Sequence, residues 1–388
     1  MTAVDSSLND GRPHLRILGI RGIPASHGGF ETFAEHLAPY LVQQGWKVTV
    51  YCQEVGDGPV WEDEWHGVHR VHIPCGADTP VRSMLFDWRS IRHAARTKDL
   101  CLTLGYNTAS FCAWLRLKGV PNAINMDGIE WKRAKWGAMA KAWFWLNERF
   151  GCWMGNHLIA DHPEIKKHLA TRVSADKITV IPYGADVIPA APTEPVAALG
   201  LEPGRYFTLI ARPEPENSVL EIVQGFSARR RGARLVVLGK YHEDQPYHQQ
   251  VKAAASDEVV FTGAIYDKGV VGALRFHSIA YLHGHQVGGT NPSLLEAMGA
   301  GNAVIAHGNG FNRWVAGEEA HYFQNAQEVD RVIAQALDDP DSLAAMRAAS
   351  ADRVRREFTW NRILGAYSTL LAQMVPAPVP LAQVERGR

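Results

Sequence analysis

Residues 15–52 restrict the fold more tightly than any other stretch. Leu15-Arg16-Ile17-Leu18-Gly19-Ile20 is a short apolar run that reads as a strand. Beyond the loop Arg21 to Glu31, the apolar residues Phe30, Phe33, Ala34, Leu37 and Leu41 fall at helical spacing, which predicts a helix from about Thr32 to Gln44. Gly45 closes it, and Lys47 to Cys52 reads as the next strand. A strand, a crossover helix and a second strand make a parallel sheet, the start of an α/β fold. Val68 to Pro74, Asp99 to Leu104, Asn122 to Met126, His157 to Asp161 and Ile178 to Pro182 read as further strands.

The C-terminal half repeats the pattern. Strands are expected at Tyr206 to Ala211, Arg234 to Leu238, Val259 to Gly263 and Ile279 to Leu282, with a helix from Val219 to Ala228. His285 to His307 then reads as a loop, Gly288-Gly289-Thr290-Asn291, a helix from Pro292 to Met298, and a strand at Ala303-Val304-Ile305-Ala306. A glycine loop entering a helix offers backbone N–H groups and a partial positive charge to an anion. Glu296, one turn into the helix, can accept hydrogen bonds from ligand hydroxyls. The same pattern also fits a plain crossover whose glutamate faces solvent. At the other end of the chain, Gly28-Gly29 opens a helix in the same way, though without the spacing of a dinucleotide fingerprint.

With 388 residues the chain has room for two domains of ordinary size. Forty basic side chains balance forty acidic ones, so no net field recruits nucleic acid. The five cysteines are scattered without a CxxC spacing, as in a cytoplasmic protein with reduced thiols rather than a disulfide frame or zinc site. Met1 to Pro13 is polar and reads as a loose tail rather than a signal peptide. No apolar run approaches the roughly 20 residues of a membrane span. Glu62-Asp63-Glu64 and Asp338-Asp339 read as a solvated loop and a helix end, and no metal site is expected.

The run L-L-E-A-M-G-A-G-N-A-V-I-A resembles the signature helix of retaining nucleotide-sugar glycosyltransferases of family 4, which have the GT-B fold. G-I-R-G-I-P with G-G-F-E-T-F, and H-Q-V-G-G-T-N-P-S-L-L-E-A-M, resemble its rhamnosyltransferase-like branch. The resemblance runs from Leu15 to about Leu371. It implies two Rossmann-like domains facing a central cleft and no cofactor beyond a nucleotide-diphosphate sugar as co-substrate. Glu296 takes the place of the family's ribose ligand. A second family glutamate is replaced here by Gly288, a substitution shared with the rhamnosyltransferase-like branch. Arg212, at a strand end, stands where the family has an arginine for the diphosphate, but the lysine that follows it in the family is Asn217. Lys240, after the Leu238-Gly239 strand end, is a candidate substitute. Asp127 stands where many members have a histidine beside the transferred sugar. It also suits a cap for the next helix.

I-P-Y-G-A-D resembles the motif that ends the first domain of that family, and F-T-W-N resembles its C-terminal element, which returns to the first domain. The implied organisation is a tail at 1–14, a first domain at 15–188 for the acceptor, and a Pro/Ala linker at 189–203. A nucleotide-sugar domain at 204–357, a returning helix at 358–375 and a flexible tail at 376–388 complete it. The implied activity is retaining transfer of a sugar, L-rhamnose in the named branch, to a saccharide or lipid-linked saccharide in cell-surface polysaccharide synthesis. Donor loops at Gly28, Gly29, Gly288, Gly289, Thr290 and Asn291 would serve it, with Asp127 and Arg212 at the reaction. Two other classes stay open: a nucleotide-sugar epimerase on the same fold, with Asp127, His283 and His285 as its acid/base groups, and a non-catalytic nucleotide-sugar binder.

Trp131 to Trp153 is aromatic and basic. Met139, Trp143, Leu146, Phe150 and Trp153 fall on one helical stripe, which predicts a core face. Lys132, Arg133, Lys135, Lys141, Trp136 and Trp145 lie off it. Those residues suit either a solvated surface or peripheral contact with an anionic membrane at its cytoplasmic face.

Overall fold

The computed structural model describes residues 11–25 and 28–375. The expected tail at 376–388, most of that at 1–14, and Ser26-His27 of the first loop lie outside the described residues.

The chain forms two compact units. Of the described residues, the first holds those up to Asp127, Ala142–Ile181 and 364–375; the second holds Gly128–Lys141 and Pro182–Ile363. Each is built on one sheet. In the first unit the strands are β1 His14–Leu18, β2 Lys47–Glu54, β3 Trp61–Trp65, β4 Val68–Pro74, β5 Leu100–Leu104, β6 Asn122–Asn125, β7 His157–Ala160 and β8 Ile178–Val180. Their order is β3-β4-β2-β1-β5-β6-β7-β8, and all pair in parallel except β3. The central strand β5 is buried along its whole length, because helices cover both faces of a parallel sheet.

In the second unit β9 Tyr206–Ile210, β10 Arg234–Leu238, β11 Val259–Gly263, β12 Ala280–His283, β13 Ala303–His307 and β14 His321–Phe323 lie in the order β11-β10-β9-β12-β13-β14, with parallel pairing throughout. One face of this sheet closes on the helices Val219–Ser227 and Ala326–Asp338 through Phe207, Leu209, Ile222, Phe226, Val329 and Ile333. The other face carries Tyr281 and Val304 against Leu294, Leu295 and Met298 of the Pro292–Gly299 helix. The α/β expectation therefore holds in both halves.

Three expectations change. Glu62-Asp63-Glu64 is not a loop but the middle of β3, paired antiparallel with β4. Asp63 sits opposite Arg70 and bonds it at 2.8 Å, and Glu62 bonds His69 at 3.1 Å. Cross-strand ion pairs satisfy these carboxylates and place charge on an exposed sheet edge. The stretch 189–203, expected as a linker, belongs to the second unit. It forms a turn of helix, Glu194–Ala198, and buries Val196 and Leu201 against Leu238 and Leu274.

The third change concerns the helix Ala138–Met154. Its buried residues are Asn147, Glu148, Gly151 and Cys152. The stripe expected in the core is largely open to water: Met139 is 89% exposed, Leu146 42% and Trp153 50%, while Trp143 and Phe150 are half-buried. The covered face is polar because Glu148 is held by His168 and Arg172 at 3.0 Å each. It is small because Met126 packs against Gly151. Trp145 is also exposed and lies under the Arg149 guanidinium, 3.3 Å from the ring centre.

All five cysteines are buried and unbridged. Burial pushes the thiols of Cys52 and Cys152 up to about 11 and that of Cys112 to about 12. Among the described residues no helix is long and apolar enough to cross a membrane.

Candidate functional site

The ligand edge of a parallel sheet lies at the carboxyl ends of its strands, where loops enter helices. In the second unit this edge carries the ends of β9, β10, β12 and β13. Arg212 follows β9 and is exposed, and among the described residues it has no ion pair: Glu216 is taken by Arg133. The Arg212 carbonyl accepts from Asn217 Nδ2 and from the Glu214 N–H, both at 2.8 Å, which folds the 212–217 loop back on itself. Asn217 is thus buried and occupied with the backbone. Lys240 is exposed two residues beyond β10, the strand beside β9.

Gly284 follows β12, and a side chain there would collide with the Asn217 carbonyl oxygen, so glycine lets the two loops touch. Gly288 has φ +133°, a conformation that L side chains rarely adopt, with open space where a Cβ would point. The backbone at 288 therefore suits glycine and strains a glutamate. Gly128 lies against it: a Cβ on Gly128 would stand 3.2 Å from Gly288 Cα. Thr290 is buried, and Asn291 caps the Pro292–Gly299 helix by accepting from the Ser293 N–H at 3.0 Å.

Glu296 does not simply face solvent. Its Oε2 lies 2.6 Å from Arg275 Nη2, with the Glu296 side chain 41% exposed and Arg275 only 9%. Arg275 also donates to Ser293 Oγ at 3.2 Å, and that hydroxyl sits 2.8 Å from Tyr281 Oη. The network orients the carboxylate and leaves part of it open to a ligand. The sequence did not single out Arg275; a lone arginine in the Lys268–Phe276 helix carries no local signal of its partner.

His283 and His285 stack with ring centres 4.5 Å apart. Burial and the neighbouring histidines hold His283 well below the usual imidazole range; burial, with Arg133 and Arg212 nearby, lowers His285 to about 3. Both rings are neutral and weakly basic at pH 7.

A segment not anticipated at this edge joins it. Arg133 Nε donates to Glu216 Oε1 at 2.6 Å and Nη1 to Glu130 Oε1 at 3.0 Å, while the Ala134 N–H donates to Glu216 Oε2 at 3.1 Å. Trp136 Nε1 completes the knot on Glu130 at 3.1 Å.

In the first unit, Gly28 caps the Gly29–Gln43 helix with an extended backbone that any residue adopts. Glu31 is buried in that first turn and accepts from the Arg21 N–H at 3.1 Å, so a carboxylate already stands at this helix start. Asp127 follows β6 with φ +51°, in the left-handed region, and its N–H bonds the Asn125 side chain at 3.0 Å. A non-glycine residue held there stores backbone strain of the kind that gathers at functional positions. Gly28, Gly29 and Asp127 thus belong to one unit and Arg212, Lys240, Gly288, Gly289, Thr290, Asn291 and Glu296 to the other. Among the described residues no three His, Cys, Asp or Glu side chains gather as a metal site.

Residues 220–368 match a family described as glycosyl transferase-like, and residues 12–186 match a domain of unknown function, DUF1972. Among curated proteins none matches the sequence. The fold is similar to sucrose-phosphate synthase from Thermosynechococcus elongatus, with TM-score 0.78 and 16% identity over 93% of this chain and 99% of that one. It is also similar to HepE of Anabaena in complex with UDP, with TM-score 0.70 and 15% identity over 93% and 100%. The α,α-trehalose-phosphate synthase of Burkholderia vietnamiensis gives TM-score 0.69 and 12% identity over 93% and 100%. The chain thus has the GT-B glycosyltransferase fold and carries a glycosyl transferase-like domain.

Proposed function

We propose that the protein is a retaining glycosyltransferase that moves a sugar from a nucleotide-diphosphate donor to a saccharide. The observation that carries the reading is the exposed, carboxylate-free Arg212 at the end of β9, in the same unit as the open Gly288 loop and the oriented Glu296. A guanidinium can grip two phosphate oxygens at once and stabilise charge as it grows on the departing diphosphate. Glu296 accepts ribose hydroxyls. The departing phosphate takes the acceptor proton, so the reaction needs no glutamate at 288, where the backbone suits only glycine. Asp127 accepts a hydrogen bond from a sugar or acceptor hydroxyl. The solved UDP complex of HepE supports a nucleotide sugar as donor. The sequence resemblance supports L-rhamnose as the sugar and cell-surface polysaccharide as the product.

The acceptor is read as lipid-linked, at the cytoplasmic face of the membrane. Exposed Trp145, Leu146 and Trp153 beside Arg149 support peripheral contact there, since such a face suits the interface of an anionic bilayer. The neutral, buried His283 and His285 are poor acid/base groups and weigh against an epimerase. The test incubates the protein with dTDP-L-rhamnose, UDP-glucose or GDP-mannose and a lipid-linked saccharide, with products followed by mass spectrometry and anomeric NMR. Acceptor-dependent transfer with retained anomeric configuration is expected. An isomerised donor without transfer would identify an epimerase, and binding without turnover a nucleotide-sugar binder.

A further inference from the structure

The loop after β9 has one cation where the family pattern has two. Asn217 stands in the second position, buried and bonded to the Arg212 carbonyl, so no charge arrives from there. The structure brings another. The 130–136 segment is fastened to this loop through Glu216, which accepts from both Arg133 and the Ala134 N–H. Arg133 is neutralised by Glu216 and Glu130. Lys135, the next residue after Ala134, is not. It is exposed, no carboxylate pairs with it among the described residues, and its ammonium rests over the Trp136 ring, 4.7 Å from the centre. Partial burial and the charges of Arg133 and Arg212 lower its proton affinity, offset in part by the charges of Glu130 and Glu214. Neither Lys135 nor Arg212 has a carboxylate within ion-pair distance among the described residues, so both cations stay available to an anion.

We propose that Lys135, delivered by the Glu216-anchored segment, is the second cation of the donor's diphosphate site and works beside Arg212. The proposal rests on the donor reading above and adds its missing charge. It also explains the anchor. A lysine on a free loop would lose more conformational freedom on closing over an anion, whereas the bonds from Glu216 to Arg133 and Ala134 set the segment before the ligand arrives.

Calorimetry with dTDP against dTMP, UDP against UMP, and inorganic pyrophosphate alone tests this on the full chain. The wild type should prefer a diphosphate over its monophosphate and bind pyrophosphate. Lys135→Ala should lower diphosphate and pyrophosphate affinity about tenfold, the scale of one charge-assisted hydrogen bond, and leave monophosphate affinity unchanged. Lys135→Arg should restore most of the loss. The Tm of Lys135→Ala without ligand should not fall, since the side chain is exposed. An unchanged preference for diphosphate in Lys135→Ala overturns the proposal. If the wild type binds neither nucleotide pair, the donor reading fails; pyrophosphate binding that depends on Lys135 would then still support the anion site. Absence of pyrophosphate and nucleotide binding overturns both.

Discussion

Replacing Glu296 by alanine should have two separable consequences, because the structure gives that carboxylate one partner and the proposed function gives it a second. The proposed partner is the donor. Losing an ionised acceptor of ribose hydroxyls is worth about 1.5–3 kcal/mol. At 1.4 kcal/mol per decade this is a drop of roughly 10- to 150-fold in kcat/KM for the donor. The other partner is Arg275. Its side chain is 9% exposed, its Nη2 lies 2.6 Å from Glu296, and its buried Nε has no partner. Without Glu296 that guanidinium keeps only Ser293 for Nη2, which should cost about 1 kcal/mol of stability; the 41% exposure of Glu296 puts the cost at the low end for such pairs. Glu296→Gln separates the two effects. It keeps an acceptor oxygen for both partners but removes the charge, so its activity should lie between wild type and alanine. Initial rates against donor concentration read the first effect and urea unfolding the second. If Glu296→Ala matches the wild type in donor kinetics while losing stability, Glu296 serves only to hold Arg275 and the ribose assignment is wrong.

Other expectations follow from particular groups. Burial pushes the Asp87 carboxyl up to about 7, opposed by the Thr108 hydroxyl 2.8 Å away and by the charge of Arg21. The folded state then keeps this proton to higher pH than the unfolded chain, whose Asp titrates near about 3.9. Its contribution to stability is complete below that value and is lost as pH rises through about 7. Asp87→Asn should remove this loss and be more stable than wild type at pH 8, and a parallel pair of unfolding profiles from pH 4 to 8 would refute the burial argument. Transfer should continue in EDTA if, as proposed, Arg212 and backbone N–H groups carry the diphosphate; loss of turnover restored by Mg²⁺ or Mn²⁺ would show that a metal does so. The protein should co-sediment with anionic vesicles more than with neutral ones, in a salt-sensitive way. Trp145→Ala with Trp153→Ala should reduce that binding, and equal partitioning of the double variant and wild type would exclude this helix as the contact.

What could be read from the chain itself was local and repetitive. The strand from Leu15, the helix after Gly28, the loop at Gly288 and the Pro292–Gly299 helix all announce themselves within a few residues, through apolar spacing and through glycine and proline. Parallel pairing follows from that alternation, and it places Arg212 at the edge where ligands bind. Tertiary structure decided everything that depends on partners far apart. Glu216 and Arg133 are 83 positions apart, and nothing in either neighbourhood predicts that one will anchor the other. The pairing of Glu296 with Arg275 is equally silent in sequence. For the helix Ala138–Met154, periodicity grouped the apolar residues correctly on one face but could not say which face would be covered. A spacing of 3.6 residues fixes which side chains share a side. Which side is buried depends on the elements that pack there, here His168, Arg172 and Met126.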